Sequence, residues 1–110
     1  MIARNVIDDW FADHFARGIE LRWRFIFADS RRPALQAFAG VLAQGRYSVV
    51  GIFGPTESGG PRFLHVERVE RHDEASLYDR CQELSALAAN HRIARFAGFE
   101  VVNLDGSPLV

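Results

Sequence analysis

The chain contains no lysine: all 13 of its basic residues are arginine. We read this as a compositional bias more than a binding signal, although arginine is the better fork for phosphate. The single cysteine, Cys81, excludes an internal disulfide and any metal cluster built from cysteine alone. No run of about 18 apolar residues occurs, so no membrane-spanning helix is expected. The opening stretch, MIARNVIDDWFADHF, lacks the unbroken apolar segment of a secretion signal, and Asp8, Asp9 and Asp13 argue against a transit peptide. A cytoplasmic location follows as the expectation. The formal net charge is −1, so no global field draws nucleic acid or an anionic membrane. Repeats, low-complexity tracts and interdomain linkers are also missing.

What is present suits one soluble domain over residues 1–110: the chain is 48% apolar and 25% charged. Its organising stretch is HDEASLYDRCQELSALAANHRIARFAGFEVV, residues 72–102. Leu77, Cys81, Leu84 and Ala88 fall at steps of four, three and four, which predicts one apolar seam along a helix. Asp73 is suited to the N-cap, and Glu74 adds a negative charge where the macrodipole favours it. Gly98 then pins a loop before a strand in which Phe99 and Val101 alternate with Glu100.

The rest of the chain supplies a sheet for that helix. Residues 5–17 predict a first helix, with Ile7, Trp10, Phe11, His14 and Phe15 at helical spacing and Gly18 ending it. That helix packs on the domain's own flank or docks on another surface. In ELRWRFIFA, residues 20–28, Leu21, Trp23, Phe25 and Phe27 alternate with Glu20, Arg22 and Arg24, predicting a strand with one face in solvent. Asp29 and Ser30 offer caps and Pro33 fits the first turn of a helix whose seam is Leu35, Phe38, Ala39 and Leu42. Gly45 closes it. Residues 46–53 and 62–70 are the next strands, joined by the turn-rich GPTESGGP.

The order helix, then strand–helix–strand–strand–helix–strand, matches a ferredoxin-like βαββαβ sandwich in an α+β class. Right-handed crossovers place two helices on one face of a four-stranded antiparallel sheet of order 4-1-3-2, preceded by the N-terminal helix of residues 1–18. On the open face, Arg22 and Arg24 should meet Glu67 and Glu100 as cross-strand ion pairs.

A search for chemistry returns little. GPTESGGP mimics the spacing of a phosphate loop, but Gly60 stands where its lysine is required and Pro61 removes a backbone donor, so a hairpin loop is expected. The four histidines show no ligand spacing; His65 and His72, with Asp73 nearby, suit a solvated strand end and a cap better than a metal. Cys81, on the buried seam, reads as an inert packing residue. Ser30, Arg31 and Arg32 stand at a helix N-terminus, where cations oppose the macrodipole; with free backbone N–H groups they form a candidate anion site. The outward positions of the first strand are Arg and Glu rather than stacking aromatics, which disfavours direct nucleic-acid binding. No catalytic residues, metal site or cofactor site emerge, so a binding module is preferred to an enzyme.

Two segments carry a likeness to a known family. PALQAFAGVLAQGRYSV resembles the helix–glycine–aromatic–strand step of the regulator of ribonuclease E activity B family, and LSALAANHRIARFAGFEV resembles its last helix and turn. The likeness covers residues 20–106. The family's Tyr-Asp-Gly-Trp-like turn is matched by Phe96, Ala97, Gly98 and Phe99, with Ala97 in place of the Asp. Members are typically acidic, whereas this chain is nearly neutral. The resemblance implies a ferredoxin-like domain that binds a protein partner, the endoribonuclease that starts mRNA decay, and inhibits it without catalysis or cofactor. The expected contact set is Arg22, Arg24, Glu67 and Glu100 with Phe96, Gly98 and Phe99 of the turn. The alternative is a dimeric sensor of a small anionic ligand at Ser30, Arg31 and Arg32. A homodimer is compatible with the N-terminal aromatics and the open sheet edges.

Overall fold

The computed structural model describes residues 2–55 and 60–109. Its elements run α1 (Arg4–Asp13), β1 (Leu21–Asp29), α2 (Arg32–Gln44), β2 (Ser48–Phe53), β3 (Arg62–Glu70), α3 (Glu74–Asn90) and β4 (Arg95–Val102). The four strands form one antiparallel sheet of order β2-β3-β1-β4, the expected order taken from the other edge.

The strict alternation of β1 decides which way the sheet faces. Leu21, Trp23, Phe25 and Phe27 turn to one side and are buried, while Arg22, Arg24 and Ile26 turn to the other. All three helices cover the first side. Ile7 and Phe11 of α1, Leu35, Phe38 and Leu42 of α2, and Leu77, Cys81, Leu84 and Ala88 of α3 join Trp23, Phe25 and Phe27 in one core. Each fully buried leucine or phenylalanine there contributes about 1.5–3 kcal/mol from burial alone. The N-terminal helix is thus part of the domain's own core.

Helix α3 begins as expected. The Asp73 carboxylate accepts from the Ser76 backbone N–H at 2.8 Å, and the Ser76 hydroxyl accepts from the Asp73 N–H at 3.0 Å, a reciprocal cap. Helix α2 differs at its start. Neither Asp29 nor Ser30 caps it; Arg31 is the capping position, without a side-chain bond, and Pro33 lies in the first turn. Asp29 is instead the last residue of β1, and its carboxylate is used elsewhere.

Helix α1 stops at Asp13, short of the expected Arg17. At His14 the backbone is extended, and the imidazole stacks on Trp10 at 4.3 Å with Nδ1 2.8 Å from the Trp10 carbonyl. The chain then buries Ala16 and ties the Gly18 N–H to the His72 carbonyl at 3.0 Å. Turning inward at Ala16 leaves Phe15 outside: it is 99% exposed, not part of the apolar stripe.

A bulge between Ile26 and Phe27 lets Ala97 stand extra in β4, and Gly98 takes φ +132° there, a conformation that side-chain-bearing residues avoid. Beyond β4 the chain folds back, pairing Val102 with Pro108. Of GPTESGGP, residues 56–59 lie outside the described residues, and with them the centre of the expected hairpin loop.

Candidate functional site

The sheet face opposite the helices is uncovered, and the register lines its side chains into rows. Arg24 stands between Glu67 of β3 and Glu100 of β4. The Glu67 carboxylate accepts from Arg22 Nη1 and from Arg24 Nη2, each at 3.0 Å, while Arg24 Nη1 is 3.9 Å from Glu100. Arg22 also donates to the Leu104 carbonyl at 2.7 Å, which holds the C-terminal turn against this lattice. Burial pushes the Glu67 carboxyl up, but hydrogen bonds from the two arginines outweigh it and hold Glu67 below the usual carboxylate range. The lattice is charge-balanced, tight at Glu67 and looser at the exposed Glu100.

Next to it the face turns apolar. Phe53 pairs with Phe63 across β2 and β3, and Phe53 lies edge-on to His65 at 4.8 Å. Phe53 and Val50 are exposed, as is Val69 at the far end. Partial burial pushes the His65 imidazole below its ordinary value, keeping it neutral near pH 7. Attention to the first strand alone passes over these aromatics, because they sit on the neighbouring strands.

The expected turn of Phe96, Ala97, Gly98 and Phe99 is instead part of β4, bulged at Ala97, and its residues divide. Phe96 is buried, 6% exposed, and packs on Phe25 and Phe27, so it is a core residue and presents no surface to a partner. Phe99 is half-buried on the helical side, against Trp10 and Trp23. Gly98 and Glu100 reach the surface at the outer edge of β4.

The residues expected to hold an anion are brought together, but with an anion of their own. Asp29, 3% exposed, accepts from Arg31 Nε at 3.0 Å, Nη2 at 2.8 Å and the Arg31 backbone N–H at 2.8 Å. The Arg31 fork also donates to the Arg92 carbonyl, and the Ser30 carbonyl accepts from Arg62 at 2.9 Å. Arg32 is exposed in the first turn of α2.

One polar cluster escaped the sequence reading. Glu70, at the end of β3, accepts from His72 Nε2 at 2.8 Å and Arg80 Nη2 at 2.6 Å, and His72 Nδ1 is 3.0 Å from Ser76 Oγ. Ser, His and Glu in a row suggest a hydrolase relay, but Ser76 Oγ is occupied by the cap of α3 and His72 is buried under the edge of Trp23. Burial raises the Glu70 carboxyl, yet the bonds from His72 and Arg80 prevail and hold it low. The cluster locks α3 to β3. His65 and His72 lie on opposite sides of the sheet, so they share no ligand. Among the described residues no group of three or more His, Cys, Asp or Glu is arranged for a metal ion, and no helix is long and apolar enough to cross a membrane.

A comparison with protein families settles the kinship that the open face and the element order leave undecided. The model for regulator of ribonuclease activity B matches residues 4–101. The chain belongs to the regulator of ribonuclease activity B family. No curated protein and no solved structure matches it. The match includes α1, so the N-terminal helix is part of the family's domain as well as of this core. Members of this family regulate ribonuclease activity, a role that implies a protein partner.

Proposed function

We propose that this chain is a non-catalytic regulator that binds an endoribonuclease of the mRNA-decay machinery, of the ribonuclease E kind, and inhibits it. The observation that carries the reading is the uncovered sheet face, with an Arg22–Glu67–Arg24–Glu100 lattice beside exposed Phe53, Val50 and Val69. A charge-patterned patch with apolar neighbours fits a protein surface better than a phosphate backbone, because Glu67 and Glu100 offset the two arginines. We read the βαββαβ core, with its helices on one side, as a ferredoxin-like sandwich and the protein as cytoplasmic, acting without a cofactor. Arg22, Arg24, Glu67 and Glu100 are the contact residues, with Gly98 and Phe99 at the sheet's edge. The anion-sensor alternative is weakened by Asp29, which takes the Arg31 fork internally. Co-purification with the host's endoribonuclease, followed by an RNA-cleavage assay, tests the reading; absence of both binding and inhibition would remove it.

A further inference from the structure

Between α1 and the outer edge of β4 runs a groove of about 530 Å³. Val6, Trp10 and Phe99 line its apolar part, and Asp9, Asp13 and Glu100 stand around it. Trp10 and Phe99 meet edge-on at 5.6 Å, so the floor is rigid aromatic surface, while Val6 is 52% exposed above it. Gly98 lines the groove, where a Cβ would meet only Ile2 at 4.0 Å, and Ile26, which lies on the open sheet face, lines it too. The groove is therefore continuous with the patch assigned to the ribonuclease.

Its carboxylates are costly where they are. Asp9 and Asp13 lie four residues apart on α1, a like-charge pair that destabilises a helix. Asp13 is the last helical residue, at the end where the macrodipole disfavours anions, and the last turn holds no basic residue. Among the described residues neither has a cationic partner within ion-pair distance; Arg4, on the same helix, pairs with Asp8. Positions that break local rules without internal compensation are the ones to examine for binding. The backbone of β4 is available too. Among the described residues it pairs with β1 and, at its last residue alone, with Pro108 through Val102, and no further backbone hydrogen bond reaches residues 95–101 from outside the sheet.

We propose that this groove seats an extended segment of the partner protein, with an apolar side chain on Val6, Trp10 and Phe99 and flanking arginines or lysines against Asp9, Asp13 and Glu100. The identification of that partner as a ribonuclease rests on the reading above; the chemistry of the segment does not. An extended chain can use the free edge of β4 as well as the apolar floor, by strand addition. A phosphate backbone would meet the same carboxylates as like charges.

The test uses the full chain, isotope-labelled for NMR, and a short synthetic peptide of alternating arginine and valine, with a glutamate–valine peptide and a short single-stranded RNA beside it. The arginine peptide should shift the Trp10 indole and the amides of residues 97–100, and the other two should not. Asp9→Asn with Asp13→Asn should weaken that binding about threefold to tenfold, as two exposed charge pairs permit. Glu83→Gln, on the exposed face of α3, should leave it unchanged. No binding, shifts confined to the Arg22–Arg24 face, equal binding of the glutamate peptide, or RNA in the groove would each overturn the proposal. The intact ribonuclease separates the two readings. If it binds wild type and the double variant equally, the groove assignment falls and the regulator stands. If the peptide seats but the ribonuclease does not bind, the reverse holds.

Discussion

The Asp29 carboxylate accepts a hydrogen bond from the backbone N–H of Ala94, 65 residues further along the chain, at 2.9 Å. With the Arg31 bonds it ties the end of β1 to the start of α2 and to the turn entering β4, the central and outer strands of the open face. Hydrogen bonding from Arg31 is the main reason that its carboxyl is held at about 2, with the Arg31 and Ala94 amides helping against burial. A depressed carboxyl stabilises the fold above the unfolded value near 4 and loses that contribution as pH falls through the folded value. Asp29 should therefore supply up to about 2 kcal/mol at neutral pH that disappears between roughly pH 4 and 2. Denaturation curves across that range should show the loss in wild type and a flatter acid limb in Asp29→Asn.

Removing Glu70 is predicted to be more damaging. Its side chain is 8% exposed and faces both His72 and Arg80; without it His72 Nε2 loses its partner and Arg80 keeps only the exposed Glu83. Glu70→Ala should cost about 3–5 kcal/mol, as expected when one member of a buried pair is deleted. Urea midpoints measure it directly; a loss below about 1 kcal/mol would mean that the cluster does not hold α3 on β3.

Cys81 should be silent in the native protein. Burial pushes its thiol up to about 12, and no surface of the residue is open. A thiol reagent at pH 8 should label it only as fast as the chain unfolds, with full and rapid labelling in denaturant.

Two phenylalanines four residues apart give a sharp contrast. Phe11 is 2% exposed and Phe15 is 99% exposed. Phe11→Ala should cost roughly 3–5 kcal/mol, whereas Phe15→Ser should change stability by less than about 0.5 kcal/mol. Thermal melts of the pair distinguish this arrangement from a continuous helix over residues 5–17, which would make both costly.

Much of the fold is visible in local spacing. The alternation of β1, the seam from Leu77 to Ala88 and the Asp73 cap each depend on neighbours within a few positions, and the structure has all three. The failures share a different cause. Helix α1 ends early because His14 turns its ring onto Trp10 and Gly18 bonds to His72, a contact across more than fifty positions. Asp29 looks like a cap until Ala94 is brought beside it. Phe96 looks like a surface aromatic until the bulge at Gly98 shifts its register inward. At the candidate site, Arg22, Arg24, Glu67 and Glu100 follow from strand alternation and order. The groove does not, since Asp9 and Glu100 become neighbours only when α1 lies along β4.

The central claim is inhibition by contact with a ribonuclease. The decisive measurement is the rate at which the host's mRNA-decay endoribonuclease cuts a single-stranded RNA as this chain is titrated in, wild type against Arg22→Glu with Arg24→Glu. Cleavage should fall to a plateau with wild type and require a much higher concentration of the variant. An undiminished rate at saturating wild type, or identical titrations for both proteins, would contradict it.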